Sequence, residues 1–160
     1  MSKDTEFVRG AEKLSRRLRT LTERLDLPDL QEQVAALLKR RTLDRFDSQV
    51  DPDGVPWPAM SKSGALSKFY AGYAGKPLLV RTRALRDSIR VIRGGLGSLS
   101  TNTGAGLRIG IQERSVAKYA RLHNFGKGGM PLRRFLGIGR LDVKAVDSLL
   151  RRKAKQLEAI

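Results

Sequence analysis

A chain of 160 residues, 40% of them hydrophobic, suits one domain with a helical extension. It has no cysteine, which excludes a disulfide framework, a thiolate metal site and a cysteine nucleophile, and no apolar run approaches the roughly 20 residues of a membrane span. The net charge of +16 is graded: 11 basic against 9 acidic side chains in residues 1–50, 8 against 3 in 51–100 and 13 against 4 in 101–160, so the field that attracts phosphate backbones or acidic protein surfaces builds toward the C-terminal half.

Phe7 and Val8, the first apolar residues after Met1, sit among Lys3, Asp4, Glu6 and Arg9, unlike a signal peptide. We therefore expect a protein made and kept in the cytoplasm, or in a particle assembled there. Val8, Ala11, Leu14, Leu18, Leu21 and Leu25 form one apolar stripe, which predicts a first helix. Asp26-Leu27-Pro28 punctuates it, because proline disfavours helical geometry in the residue before it and suits a first helical turn. A second helix follows, burying Leu30, Val34, Leu37, Leu38 and Phe46 and ending near Ser48. The pair is expected to form an antiparallel hairpin, making residues 1–50 an N-terminal helical segment.

Residues 51–77 form a segment of different character. Asp51-Pro52-Asp53-Gly54 is a turn signal, since proline presets φ and glycine accepts positive φ. Val55-Pro56-Trp57-Pro58 extends the backbone around the one tryptophan. From residue 61 to 77 the composition predicts a surface loop, or a short irregular helix around Phe69, Tyr70 and Tyr73.

Residues 78–160 read as an α+β core. Ile89 and Val91 mark a strand over 88–93, and Leu107, Ile109 and Ile111 alternate with Arg108, Gly110 and Gln112 in a better one. Between them the uncharged Gly/Ser/Thr/Asn stretch 94–106 is too long for a tight hairpin and predicts a flexible loop projecting from the sheet. A short helix is expected over 115–123, then an irregular Phe125-Gly126-Lys127-Gly128-Gly129 turn. A last helix over 141–157 has Asp142 at its start and Arg151, Arg152, Lys153 and Lys155 near its end, the sign pattern that the helix dipole favours. The expected fold is thus α+β: a small antiparallel sheet with a long projecting loop, packed by helices and preceded by a helical hairpin.

Little in the chain points to catalysis. The one histidine, His123, has no nucleophile or orienting carboxylate indicated near it, so a packed or interface histidine is the expected role. Asp51/Asp53 and Asp44/Asp47 do not fill a calcium-loop pattern. The glycines at 104–110 miss the dinucleotide fingerprint and lead into a strand, and Gly126-Lys127-Gly128-Gly129 lacks the Walker spacing. No cofactor, metal, small-molecule substrate or enzymatic activity is expected. Nucleic-acid binding is the serious rival: Arg81, Arg83, Arg86, Arg90 and Arg93 form a basic run, Arg133 and Arg134 follow, and Tyr119, Phe125 and Phe135 could stack on bases. These aromatics nonetheless occur singly among aliphatics, as core residues do, and no helix-turn-helix, RNA-recognition or zinc-finger signature appears.

Four segments in order carry a resemblance. They are Arg45-Phe46 leading into Asp51-Pro52-Asp53-Gly54-Val55-Pro56-Trp57; Leu79-Val80-Arg81-Thr82-Arg83-Ala84-Leu85 through Ile89; Ile109-Gly110-Ile111 with Tyr119-Ala120-Arg121-Leu122-His123-Asn124-Phe125-Gly126; and Pro131-Leu132-Arg133-Arg134-Phe135-Leu136-Gly137-Ile138. Together they resemble the phage virion-morphogenesis (tail-completion) family, which serves Mu-like and related tailed phages. Arg83 stands where that family usually has glycine, implying a turn reorganised or lengthened into helix; Arg134 replaces a usual proline and Asn124 a usual glutamine. The resemblance implies a neck or tail-completion protein of the virion, assembled in the host cytoplasm. It would build a ring-like homo-oligomeric collar with other head- and tail-end proteins, and non-specific contact with packaged DNA fits its charge. The alternatives are a basic nucleic-acid-binding protein and an assembly chaperone absent from the finished particle.

Within the motifs, Trp57 reads as a core plug ahead of an interface anchor. Tyr119 and His123, one turn apart, are expected to cluster with Phe125 and pack their helix onto strand 107–112. Phe135 and Leu136 are expected in the same core, with Arg133 and Arg134 outside it.

Overall fold

The leucine stripe that begins at Pro28 needs an apolar surface to face, and the sheet supplies it. A computed structural model describes residues 28–93, 99–103 and 106–158, together with Glu12. Helix α1, Pro28–Ser48, buries Leu30, Val34, Ala35, Leu38, Thr42, Arg45 and Phe46, a face recurring every three or four residues as one helical stripe requires. The helix ends where Gln49 turns to a φ of 57°. The Gln49 side chain then ties the exit down, donating to the Phe46 carbonyl and accepting from the Leu78 N–H at 2.7 Å. The first expected helix, and with it the hairpin, lies outside the described residues.

The turn at 51–54 closes on its own aspartate, whose Oδ1 accepts from the backbone N–H groups of Asp53 (2.8 Å) and Val55 (2.9 Å). After the extended segment, helix α2 runs over Lys62–Tyr70, with Ser61 capping it by accepting from the Gly64 N–H. None of its residues is buried, and Phe69 and Tyr70 are 63% and 82% exposed.

A one-turn helix α3, Ala84–Asp87, leads into strand β1, Ile89–Ile92. Strand β2, Leu99–Asn102, and strand β3, Arg108–Ile111, complete a three-stranded sheet in the order β1-β3-β2, both edge strands antiparallel to β3. The expected projecting loop is corrected by β2, which lies inside it. Leu99 and Thr101 are buried while Asn102 is exposed, so the alternation of a strand is present, but two of its four residues, Ser100 and Asn102, are typical of loops. Residues 94–98 and 104–105 of that stretch lie outside the described residues. Helix α4, Arg114–Phe125, and helix α5, Arg140–Glu158, follow. One core draws on α1, the sheet, α4, residues 135–138 and α5, with Phe46, Phe135, Ile89, Ile109, Ile111 and Val146 fully enclosed.

Candidate functional site

Arg45, Trp57, Asn124 and Arg133 of the motifs are buried, and each makes a side-chain hydrogen bond to the chain's own backbone. Arg45, on the buried face of α1, donates to the carbonyls of Phe135 (2.7 Å) and Gly137 (3.0 Å) and to the Asp142 carboxylate at 2.5 Å. Asp142 is wholly buried. It also accepts from Arg41 Nε at 2.7 Å and from the Gly139 N–H at 2.8 Å, capping α5 from inside its first turn. Burial, joined by the charges of Arg41 and Arg134 and opposed by Asp142, holds the Arg45 pKa below its ordinary value.

Asn124, at the end of α4, is buried, and its Oδ1 accepts from the N–H groups of Phe135 (3.1 Å) and Leu136 (2.9 Å). The neighbouring His123 carbonyl accepts from the Arg133 N–H at 2.8 Å. Trp57 is buried edge-on against Phe46, and its Nε1 donates to the Arg134 carbonyl at 3.1 Å. Phe46 in turn packs on Phe135, with ring centroids 5.3 Å apart. Gly126 ends α4 in the left-handed region at a φ of 62°, where an added Cβ would press on Leu132 at 3.1 Å.

Arg133 and Arg134 are not outside the core, which corrects that expectation. Arg133 is buried and donates to the carbonyls of Pro58 (3.0 Å) and Ala59 (3.1 Å). Arg134 donates to Asp53 at 2.5 Å and brings the turn 51–54 against the strand of chain before Phe135. The expected Tyr119–His123–Phe125 cluster is corrected too. The buried face of α4 is Val116, Ala117, Ala120 and Asn124, while Tyr119 and Phe125 are 38% and 42% exposed. Phe135 and Leu136 are in the core.

Tyr119 and His123 instead form one wall of a pocket of about 390 Å³, whose other wall is the segment 79–85. Leu79, Arg81, Arg83 and Leu85 line it. The His123 Nδ1 is buried and has no hydrogen-bond partner among the described residues, and burial followed by the charge of Arg133 holds its pKa below the ordinary 6.5. Burial, then Glu113, raises that of Tyr119.

The arginine run of 81–93 does not present one cationic stripe. Arg86 pairs with Asp47 at 3.1 Å, Arg93 chelates Glu32 at 2.7 and 2.8 Å, and Arg90 folds back on the carbonyls of Asp87 and Ile89. Arg81 lies 4.6 Å from the Tyr73 ring centroid. Arg83 is exposed with a φ of 62°. The turn there is therefore not lengthened into helix at Arg83: arginine adopts the left-handed geometry that glycine would take freely, and α3 starts one residue later. Sequence reasoning missed Asp142 and Asn124 as frame residues. Asp142 was legible only as a helix-start carboxylate, and nothing in sequence spacing ties it to Arg45 ninety-seven residues away.

The scaffold is α+β, and the chain belongs to the Phage virion morphogenesis family, whose model it matches over residues 8–155. It is similar to Mu-like prophage FluMu G protein 1 of Haemophilus influenzae, 28% identical over 153 residues that cover 95% of this chain and 96% of that relative. No solved structure matches it. Its role is in phage virion morphogenesis.

Proposed function

We propose that this protein is a neck or tail-completion component of a tailed-phage particle, a non-enzymatic structural protein that forms a ring-like collar where head and tail join. The observation that supports this is the use to which the buried polar residues of the motifs and of helix α5 are put. Arg45, Asn124, Arg133 and Asp142 are buried, and each spends its polar atoms on the chain's own frame. Interior groups used in this way fix a shape, and a fixed shape is what a joint between two preassembled parts needs. Contacts to head- and tail-end proteins then fall to the exposed surfaces.

Electron microscopy of particles made without this protein tests the reading: separate heads and tails, or junctions that break, are expected, and normal infectious particles would refute it. Mass spectrometry of purified virions separates a resident collar protein from an assembly chaperone, which leaves before the particle is complete.

A further inference from the structure

Arg83 is a non-glycine residue in the left-handed region, a conformation that costs free energy and persists only where the surroundings hold it. Leu79, at a φ of 60°, is a second such residue in the same short segment. Both line the pocket facing Tyr119 and His123. The pocket is lined by Leu79 and Leu85 together with Arg81 and Arg83, the Arg81 guanidinium lying over the Tyr73 ring at 4.6 Å, and no carboxylate is among the described residues that line it. Glu113 acts on Tyr119 electrostatically but is not part of the lining. Neither Arg81 nor Arg83 is in an ion pair among the described residues, whereas Arg86 and Arg93 of the same run are.

We infer that the pocket between segment 79–85 and helix α4 is the docking site for an acidic segment of another virion protein, with carboxylates on Arg81 and Arg83 and an apolar side chain against Leu79 and Leu85. The inference rests on the neck reading and names the partner contact within it. Charge complementarity selects this occupant: two guanidinium groups beside aliphatic side chains match a carboxylate-bearing, apolar-anchored peptide. A duplex needs a stripe of cations that tracks its phosphates, and the pairing of Arg86 and Arg93 interrupts that stripe. A second copy of this chain brings its own charge of +16 to a cationic mouth.

The test uses the full-length protein against overlapping peptides tiled across every protein of the purified particle, this chain included. Binding is expected to concentrate in acidic, leucine-bearing peptides of another virion protein. The double variant Arg81→Glu/Arg83→Glu is expected to weaken that binding by about tenfold or more. The variant Arg151→Glu/Arg152→Glu, which changes the charge equally on the exposed face of α5, should keep it. Equal losses in both variants, equal competition by short duplex DNA at physiological salt, or preference for peptides of this chain would each overturn the inference. Circular dichroism of the variants checks the fold, and Arg81→Gln/Arg83→Gln, without charge reversal, should reproduce the loss in weaker form. The two readings fail separately. If loss of the whole protein leaves particles normal, the neck reading falls; if it breaks the junction while the charge-reversed variant joins heads and tails as well as wild type, only the docking site falls.

Discussion

Removing the Asp142 carboxylate would leave the buried Arg45 guanidinium without its counter-ion and Arg41 without its partner. An uncompensated buried charge is the costly kind of defect, so Asp142→Ala should lose about 3–5 kcal/mol in urea unfolding. Replacing Arg45 and Asp142 together by apolar residues of similar volume should cost less than that single change, because the buried guanidinium is then gone and Arg41, which is partly exposed, can turn to solvent. Trp57→Phe keeps part of the ring contact with Phe46 but leaves the Arg134 carbonyl without its Nε1 donor. It should therefore cost less than Trp57→Ala, for which about 3–5 kcal/mol is expected, both read from thermal or urea melts. His123 supplies a pH signature. Its folded-state pKa lies below the ordinary 6.5, so near that pH the unfolded chain binds more protons than the folded one. Stability should accordingly drop as pH falls through about 6.5 and level off, for this group, once the folded-state pKa is passed. His123→Gln should flatten this part of the stability–pH curve; a curve unchanged by the substitution would exclude His123 as its source.

Elements were legible in proportion to how far their burial follows an apolar period. Helix α1 reads directly from Leu30, Val34, Leu38 and Phe46, and strand β3 from Ile109 and Ile111, because one face of each is aliphatic. Strand β2 is hidden in the sequence because Leu99 is its one aliphatic residue and the loop-favouring Ser100 and Asn102 make up half of its length. Helix α4 was placed correctly along the chain but turned to the wrong face: its large aromatics drew attention, while small Ala117 and Ala120 and polar Asn124 make the contacts. The site was legible as motifs and not as contacts, since the bonds from Asn124, Arg133 and Trp57 join segments brought together only by the fold. Gly110 gives a test of how the sheet is built. A Cβ there would lie 2.1 Å from the Leu99 carbonyl oxygen and 2.5 Å from the Ser100 Cα, so the close approach of β2 to β3 requires glycine. Gly110→Ala should therefore prise β2 from the sheet, read as faster amide hydrogen exchange over residues 99–103, while α1 and α5 keep their protection. Arg83→Gly works in the opposite direction. Relief of the left-handed strain should outweigh the added chain entropy and raise stability by a few tenths to about 1 kcal/mol.

For the whole molecule the decisive quantity is the net charge of +16, which bears directly on the proposed collar. Copies arranged in a ring bring like charge together, and this repulsion acts over a Debye length of about 8 Å at physiological ionic strength. Of the 32 cationic side chains, 16 are offset by the chain's own acidic ones, some in ion pairs such as Arg45 with Asp142, Arg134 with Asp53 and, at the surface, Arg93 with Glu32. The rest must be screened by salt or matched by acidic surfaces of neighbouring virion proteins before copies can close on one another. The purified protein is therefore expected to be monomeric at low salt and to associate more as ionic strength rises, or when a head- or tail-end assembly supplies the opposing charge. Light scattering coupled to size exclusion across a salt series measures this. A stable ring formed by the protein alone at low salt would mean that copy–copy contacts outweigh the repulsion, and the order of assembly would then run from ring to junction and not from junction to ring.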